Sequence, residues 1–224
     1  MKIILTESQY GRILKEQFKK IKKSIDPNPK QQTSDGGCTT DTIKPKNWQD
    51  LYAKLVQSGK IKPKEPLVIV WGPKQTLYYT TDGNNPIKTL KVSTGANGFG
   101  NSQDDKKTPT GLIQIIGQKR GQDYEVMIGK RGTGTILGPT MDSLRVDVKT
   151  GEKHIAEVLT GIVELGGLES CNSNVKSRNI YFHGTNREQF LGQPRSNGCI
   201  RVSNENIKWL LDNINVGTKV YIKP

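Results

Sequence analysis

The sequence predicts a mainly β domain, a sandwich or barrel with one helix near its C-terminal end, preceded by a basic helical segment. Three observations support this fold class. The chain of 224 residues has 24 Gly and 11 Pro, and β-rich folds need the turns that these residues make. Short apolar runs bounded by turn residues recur from residue 67 onward, a spacing typical of sandwiches and barrels. Hydrophobic residues form 33% of the chain, which suffices for one core.

Residues 1–25 are predicted to form a basic amphipathic helix. Thr6 and Gln9 match the capping box that begins a helix, and apolar residues then recur at helical spacing, with basic residues on the other faces. The Asp-Pro-Asn-Pro sequence that follows ends the helix. Such a helix either anchors the chain to an anionic surface or partner, or docks on its own domain with its basic face in solvent.

Residues 26–66 are predicted to be a linker that holds one short helix. The stretch is rich in Pro, Gln, Ser, Gly and Lys, a composition that favours exposed chain. Within it, residues 47–58 carry apolar side chains at every third or fourth position, and Gly59 closes the helix. The main domain is then predicted to span residues 67–224.

From residue 67 the apolar pattern changes to that of strands. Residues 67–71 form an apolar run that ends at Gly-Pro, and residues 76–80 are placed to pair with this run across the turn. The pattern predicts further strands at 87–93, 111–117, 179–183 and 219–222. Residues 155–165 fit either a helix or a strand.

One helix is predicted near the C-terminal end of the chain. Ser203 is its N-cap, and Gly217 closes it. Its apolar face carries Ile207, Leu210, Leu211 and Ile214.

The composition excludes several kinds of chemistry. A catalytic zinc site usually takes three protein ligands, and the chain has two histidines and no CxxC or HExxH motif. It also has no phosphate-binding motif of the GxxxxGK[ST] type. We therefore expect no metal ion and no cofactor. No run approaches the ~18 apolar residues of a membrane-spanning helix, so we expect no transmembrane segment.

The chain is strongly basic, with a formal net charge of +13. Residues 1–66 carry 14 basic and 7 acidic residues, so this part supplies more than half of the surplus. A surplus of this kind favours anionic partners such as acidic lipid, nucleic acid or anionic cell-wall polymer. Nucleic acid is the least favoured, because the basic segment has no interleaved aromatic residues. The alternative is a solvated surface with a basic bias.

One segment carries candidate chemistry. His183 ends a predicted strand, and Cys199 follows sixteen residues later in the sequence Ser-Asn-Gly-Cys. A thiol is a good nucleophile only as a thiolate, and a neighbouring imidazole can take its proton and return it to a leaving amine. Gly198 leaves space above the sulfur, and the N–H groups of residues 197–199 can converge on an oxyanion. These parts describe acyl transfer through a thioester; a small buried cysteine and a core histidine are the alternative.

This segment resembles the L,D-transpeptidase catalytic domain, the YkuD-like family. The matching pattern is His-Gly-Thr, a spacer with Leu-Gly-x-Pro, and Ser-x-Gly-Cys-Ile-Arg. Other stretches similar to the family occur in order: KVSTG at 91–95, TPTG at 108–111, LGGLE at 165–169, NIYFH at 179–183 and GTKVYI at 217–222. The resemblance covers residues 67–222 and implies a YkuD-like β-sandwich or barrel.

The resemblance also implies three catalytic roles. Cys199 is the nucleophile, and His183 is the general base and then the acid. The backbone carbonyl of Gly184 orients the imidazole, a role that requires no neighbouring carboxylate. His154 matches no role in the family and is expected to be structural or at the surface.

Four further residues are implied at the oxyanion and substrate-binding site. Ser196, Asn197 and Gly198 flank or form the oxyanion hole. Arg201 shapes the pocket or meets a substrate carboxylate, or else is a structural, salt-bridged residue. Many members of the family have His where this chain has Asn197, so we expect activity with altered substrate handling or pH dependence.

The resemblance implies a peptidoglycan L,D-transpeptidase that acts on stem peptides through a thioester. Either a cross-link or an L,D-carboxypeptidase product results, and carbapenems acylate the cysteine. Peptidoglycan stem peptides are then the partner, and the basic N-terminal segment can meet anionic wall polymer. The alternative function is a non-catalytic wall-binding or structural module that keeps the fold.

The implied substrate is extracytoplasmic, in the periplasm or the cell wall. The first residues hold only three apolar residues in a row, fewer than the ~7–15 of a signal-peptide core. We therefore expect a trimmed chain, a non-standard route of delivery or a virus-encoded protein. Cys38 and Cys171 are either free thiols or a pair.

Overall fold

A computed structural model describes residues 38–120, 125–127, 133–136, 144–147, 153–155 and 158–224. In chain order the strands are β1 (Leu67–Trp71), β2 (Thr76–Thr80), β3 (Lys88–Lys91), β4 (Gly111–Arg120), β5 (Glu125–Met127), β6 (Thr133–Ile136), β7 (Leu144–Asp147), β8 (Lys153–Ile155), β9 (Leu159–Gly167), β10 (Tyr181–Gly184), β11 (Ile200–Arg201) and β12 (Lys219–Lys223). The α-helices are α1 (Thr39–Thr42), α2 (Trp48–Gln57) and α3 (Asn204–Asn213). The predicted mainly β class is confirmed.

The basic helix predicted over residues 1–25 and the first part of the predicted linker lie outside the described residues. Short 3-10 helices at Gly72–Lys74, Ser170–Asn172 and Glu188–Phe190 complete the secondary structure that the model describes. In the same part of the chain, no helix combines the length and the apolar character that crossing a membrane requires.

The main sheet has eight strands and is curled. Its strand order is β11-β10-β9-β4-β12-β1-β2-β3. Neighbouring strands are antiparallel except β1 with β12 and β10 with β11, which are parallel. Beyond β3, Ser93 forms an isolated bridge with Arg201 of β11, and Gly95 forms one with Ser196. The chain that leaves β3 at one edge of the sheet therefore touches β11 and the turn before it at the other edge. The contact is limited to isolated bridges, so the sheet curls into a half-barrel.

The sheet is covered on both faces, as β1 illustrates. All five side chains of β1 are buried, and alternate side chains point to opposite faces. Val68 and Val70 belong to the core that includes the apolar face of α3. Leu67 and Ile69 belong to a second core that includes α2. A continuous apolar run is the pattern expected of a strand buried on both faces.

Helix α2 begins where the sequence predicts, but it is not part of an exposed linker. The side chain of Asn47 accepts a hydrogen bond from the Asp50 N–H at 2.8 Å, an N-cap worth about 1 kcal/mol. Leu51 and Leu55, one turn apart, are fully buried in the second core. Residues 43–66 therefore pack onto the sheet. Their polar residues, which suggested a linker, separate a few apolar side chains that hold the segment in place.

Helix α3 also follows its prediction. The Ser203 hydroxyl accepts a hydrogen bond from the Asn206 N–H at 3.1 Å, which caps the helix. Ile207, Leu210 and Leu211 are buried in the core on one face of the helix. This helix covers the sheet beside β9 and β10.

The described part of the stretch that fits either a helix or a strand is extended. Most of it lies in β9, which pairs with β4 on one side and with β10 on the other. A second sheet, in the order β5-β6-β7-β8, precedes it as an antiparallel meander. The sequence pattern predicted no strand in β5, β6 or β7. His154 lies in β8, and its side chain is outside the described residues.

A disulfide joins Cys38 to Cys171, which decides between the two alternatives left by the sequence. The two Cα atoms are 5.6 Å apart, inside the normal range for a disulfide. Cys199 is the free cysteine of the chain. The bond links the chain just before α1 to the 3-10 helix that follows β9.

We expect this disulfide to stabilise the domain. It closes a loop with a sequence separation of 133 residues, and such a constraint on the unfolded chain is worth about 2–4 kcal/mol. Cys171→Ser should therefore lower the melting temperature by several degrees in calorimetry, and a reductant should do the same to the parent protein. Cys199→Ser is the matched control, because it removes a free thiol. Equal stability of Cys171→Ser and the parent would contradict the expectation.

Candidate active site

His183 lies in β10, between two partner strands. It pairs with Ile162 of β9 on one side and with Arg201 of β11 on the other. The side chain is 3% exposed. The residue that follows, Gly184, ends the strand at an irregularity in the pairing with β9. The imidazole is therefore held by neighbours on both sides of its strand.

Cys199 reaches the same strand pair through the parallel register of β10 and β11. Phe182 pairs with Ile200 and His183 with Arg201, so Cys199 comes next to Tyr181. Residues two apart on a strand share a face. Arg201 therefore lies on the face that carries His183, and continuing the alternation by one residue beyond the start of β11 places Cys199 on that face, diagonal to the histidine. The predicted proximity of the cysteine and the histidine follows from this pairing.

The carbonyl of Gly184 orients the His183 ring. Nδ1 lies 2.7 Å from the Gly184 oxygen. A carbonyl oxygen only accepts hydrogen bonds, so in the neutral ring Nδ1 carries the proton and Nε2 keeps its lone pair. Nε2 is then the nitrogen available to accept a proton from a nucleophile.

Burial keeps the imidazole uncharged. It lowers the pKa of His183 to about 4, the Gly184 carbonyl opposes this change, and the positive charge of Arg201 adds to it. The ring is therefore neutral near neutral pH, and it is able to act as a base.

Cys199 is also uncharged at rest. Desolvation raises the pKa of its thiol to about 11, while the backbone amide of Tyr181 and the charges of Arg201 and Arg178 act in the opposite direction. The thiol donates to the carbonyl oxygen of Asn179 at 3.4 Å. A neutral thiol beside a neutral imidazole is arranged for general-base activation, in which the proton moves as the sulfur attacks.

The turn before Cys199 is built around the buried hydroxyl of Ser196. This hydroxyl accepts a hydrogen bond from the Gly198 N–H at 3.1 Å and donates to the carbonyl of Cys199. Gly198 has a φ of 115°, a conformation open to glycine. Thr108 donates from its hydroxyl to the Gly198 carbonyl at 2.9 Å. The turn is thus fixed from inside and from the neighbouring loop.

The residues predicted for substrate binding differ in their surroundings. Asn197 is exposed, whereas Ser196 and Arg201 are buried. Arg201 donates to the carbonyl of Arg195 at 3.0 Å, and its charge acts on both His183 and Cys199. Of the alternatives stated for Arg201, burial at the site favours a part in shaping the pocket over a direct contact with a substrate carboxylate.

Three residues near the site were given no role from the sequence. Thr108 and Asn179 lie in stretches that resemble the family, but no role was assigned to either. Asn179 has a φ of 55°, and its side chain accepts a hydrogen bond from the Tyr181 hydroxyl at 2.8 Å. Arg178 acts on Cys199 from a position that no sequence signal marks, because the loop it contacts is about seventy residues away along the chain.

One group of candidate metal ligands occurs in the described part of the chain. Cys38, Glu169 and Cys171 place their ligand atoms within 4.8 Å of one another. The two sulfur atoms are bonded to each other, and a metal needs thiolates. The group lies at the disulfide and includes neither His183 nor Cys199.

Fold and site together define a class of protein: a curled, mainly β domain with a buried histidine on a strand near the sheet edge and a cysteine immediately before the edge strand. The family model that matches is YkuD, the L,D-transpeptidase catalytic domain, over residues 65–222. The chain belongs to this family, as the resemblance in the sequence predicted.

Curated relatives carry the same family name. Over 155 residues the chain is 30% identical to a probable L,D-transpeptidase of Salmonella typhimurium, ErfK/SrfK, which covers 69% of this chain and 43% of that protein. It is 52% identical over 40 residues to a putative L,D-transpeptidase of Bacillus subtilis, YqjB, covering 18% of this chain and 23% of that protein. The chain thus spans less than half the length of these relatives.

The similarity to solved structures is lower. An L,D-transpeptidase from Mycobacterium smegmatis is 17% identical, with 71% of this chain and 59% of that chain covered and a TM-score of 0.45.

Because Cys199 and His183 are both uncharged at rest, we expect a particular pH dependence for the alkylation of Cys199. Because the thiol pKa is raised to about 11, the thiolate fraction and the rate with iodoacetamide should rise about tenfold per pH unit between about pH 7 and 9. Intact-mass analysis measures this rate. Cys199→Ser is the control, since the other two cysteines form the disulfide. A rate that levels off near about pH 6 would instead indicate a preformed thiolate–imidazolium pair.

The backbone at Gly198 should not tolerate a side chain. A Cβ at this position would lie 2.9 Å from the Lys107 carbonyl oxygen, so Gly198→Ala combines a strained φ with an overlap and should cost about 2–4 kcal/mol. Gly192→Ala is the matched control, because Gly192 has a φ of 96° but open space around it; a loss of about 1 kcal/mol is expected. Urea unfolding measures both. Equal losses would show that the loop does not press on the turn.

Proposed function

We propose that this chain is a peptidoglycan L,D-transpeptidase that uses Cys199 as its nucleophile. The observation that carries the proposal is the strand register that sets Cys199 diagonal to His183 on one face. Family membership supplies the reaction class and its substrate, the stem peptide of peptidoglycan. Because the chain spans less than half of its curated relatives, the activity assigned to the whole of those proteins is a proposal here.

In the first step, the sulfur of Cys199 attacks the carbonyl carbon of the amide that precedes the terminal D-Ala. His183 Nε2 takes the thiol proton as the carbon–sulfur bond forms, and the carbonyl π electrons move to oxygen. The imidazolium that results retains the Gly184 carbonyl as the acceptor for Nδ1–H. Since that carbonyl already raises the pKa of His183 against the effect of burial, it helps the ring to hold the proton.

The oxygen that becomes negative needs hydrogen-bond donors. The Gly198 N–H is already donated to the Ser196 hydroxyl, so we assign the contact with the oxyanion to the backbone N–H of Cys199, with the exposed Asn197 at the rim. Ser196 and Gly198 then hold the shape of the turn. This division of roles refines the expectation that all of the N–H groups in the turn converge on the oxyanion.

In the second step, the tetrahedral intermediate collapses to a thioester. The carbon–nitrogen bond breaks, and His183 gives its proton to the leaving nitrogen, so D-Ala departs as a neutral amine. An amine of a second stem peptide or a water molecule then attacks the thioester, with His183 as the base. The first acceptor gives a cross-link, and the second gives an L,D-carboxypeptidase product. Both regenerate the Cys199 thiol.

The location we propose is outside the cytoplasm, where peptidoglycan lies. The disulfide between Cys38 and Cys171 supports this proposal, because disulfides persist in oxidising compartments. The contact between the basic segment 1–25 and anionic wall polymer stays a prediction, since that segment is outside the described residues. The role of Asn197 in substrate handling is likewise a prediction.

Acylation by a carbapenem tests the nucleophile. Opening of the β-lactam ring expels no leaving group, so the protein should gain the whole mass of the drug on Cys199. Cys199→Ala should gain nothing, and His183→Gln should react about a hundredfold or more slowly, because a positioned base contributes that much. Intact-mass analysis measures the adduct. An adduct that persists in Cys199→Ala would overturn the assignment.

Turnover of a stem tetrapeptide tests the reaction. The purified chain should release D-Ala from a peptide that ends in diamino acid–D-Ala, and the Cys199→Ala variant should not. Adding a second peptide with a free amine separates cross-linking from hydrolysis by product mass. A chain that binds peptidoglycan but neither releases D-Ala nor forms a carbapenem adduct would favour the alternative, a non-catalytic wall-binding module.

A further inference from the structure

Arg178 is a buried arginine outside the motif that carries the chemistry. Its side chain is 4% exposed. The guanidinium donates to the Gly100 carbonyl at 3.0 Å, to the Lys107 carbonyl at 2.6 Å and to the Asp105 carboxylate at 2.6 Å. All three acceptors lie in one loop, which runs between β3 and β4. A guanidinium is suited to this task because its donors form a rigid planar fork.

That loop rests on the turn that presents the nucleophile. The Lys107 oxygen, one of the acceptors of Arg178, is the atom that a Cβ on Gly198 would meet at 2.9 Å. The next residue, Thr108, donates to the Gly198 carbonyl at 2.9 Å. Within the loop, the Gly100 N–H donates to the Thr108 carbonyl at 2.9 Å. The bonds of Arg178 therefore fix the loop that contacts the Gly198 turn immediately before Cys199.

The charge of Arg178 also acts on the Cys199 thiol. Its charge lowers the pKa of the Cys199 thiol, in the same direction as Arg201 and against desolvation. The neighbouring residue, Asn179, accepts the thiol hydrogen bond through its carbonyl. One short segment thus carries both the clamp on the loop and a contact with the sulfur.

We infer that Arg178 is a positioning residue for acyl transfer: it clamps the loop of residues 98–108 against the Gly198 turn, and its charge stabilises the negative sulfur of Cys199 as attack begins. The inference rests on the proposed function for the identity of the reaction. The charge effect concerns the thiol itself and is measurable without any substrate.

The charged and titratable groups around Cys199 define what a test must separate. His183 and Tyr181 come from β10, Arg201 from β11, and Arg178 from the segment before β10. Asp105 opposes the charge of Arg178 from the loop. An arginine that is only structural affects stability alone, whereas a charge that acts on sulfur affects the reactivity of the thiol in a direction set by its sign.

Two changes with opposite electrostatic effects provide the test. Arg178→Met removes the positive charge and the clamp, so alkylation of Cys199 by iodoacetamide at about pH 8 should be about three to ten times slower than in the parent. Asp105→Asn keeps an oxygen for the hydrogen bonds from Arg178 and from the Lys107 N–H, but leaves the arginine charge unopposed. Its alkylation should be about two to five times faster.

The matched control is Arg120→Met. Arg120 donates to the Asp212 carboxylate and to the Leu211 carbonyl, so this change also removes an arginine with an ion pair and a carbonyl contact. Its charge does not appear among the influences on Cys199, and its alkylation rate should equal that of the parent. Melting temperatures of all variants show that the proteins compared are folded.

Arg178→Lys separates the clamp from the charge. A lysine keeps the charge but cannot satisfy three acceptors in the geometry of the guanidinium fork. Alkylation should therefore stay within about twofold of the parent, while kcat for D-Ala release falls at least about tenfold, as expected of a misplaced nucleophile.

Each outcome decides for or against the inference. Slower alkylation in Arg178→Met together with faster alkylation in Asp105→Asn supports it, and unchanged or equally slowed alkylation in both folded variants overturns it. If Arg178→Met does not fold, the Asp105→Asn rate alone decides the charge effect. Failure of the parent to release D-Ala would overturn the proposed function and leave the alkylation result standing, so the two failures are distinguishable.

Discussion

The parallel pairing of β10 with β11 is the constraint on which the site depends. A hairpin would bring the chain back antiparallel, whereas a parallel return needs a longer connection, and the residues between Gly184 and Cys199 provide it. The parallel register places Arg201 opposite His183 and therefore Cys199 opposite Tyr181. The spacing of sixteen residues between histidine and cysteine is thus the length of a crossover. The half-barrel supports this strand pair by packing β9 beside it and α3 over it.

The surroundings of the two groups determine their electrostatics: His183 is buried, and Cys199 is half-buried. Burial lowers the pKa of His183 and raises the pKa of Cys199, so each group is driven toward its neutral form. A neutral imidazole needs an acceptor for one N–H and no compensating charge, and a backbone carbonyl suffices. The Gly184 carbonyl at 2.7 Å is therefore sufficient to orient the His183 ring.

Local sequence signals predicted the helices and strands, whereas contacts between residues far apart in the sequence could not be predicted from them. The Asn47 and Ser203 caps and the apolar run of β1 act within one turn or strand, so the sequence reports them directly. Residues 43–66 resembled a linker because the partner of their few apolar side chains is a sheet formed later in the chain. The motif located Cys199, His183 and Gly184. Nothing local marks Arg178, whose three acceptors lie in a loop far away in sequence.

The support of the Gly198 turn extends to the disulfide through one short stretch of chain. After Cys171, the Asn172 side chain donates to the carbonyls of Thr110 and Leu112, and Asn174 donates to the carbonyl of Asn101. Arg178 completes the series on the same loop. Residues 171–178 therefore hold the loop along its length, with the disulfide fixing their beginning. Groups that share a network of contacts do not contribute independently to stability. The stability of this end of the domain and the shape of the Gly198 turn therefore depend on the same set of bonds.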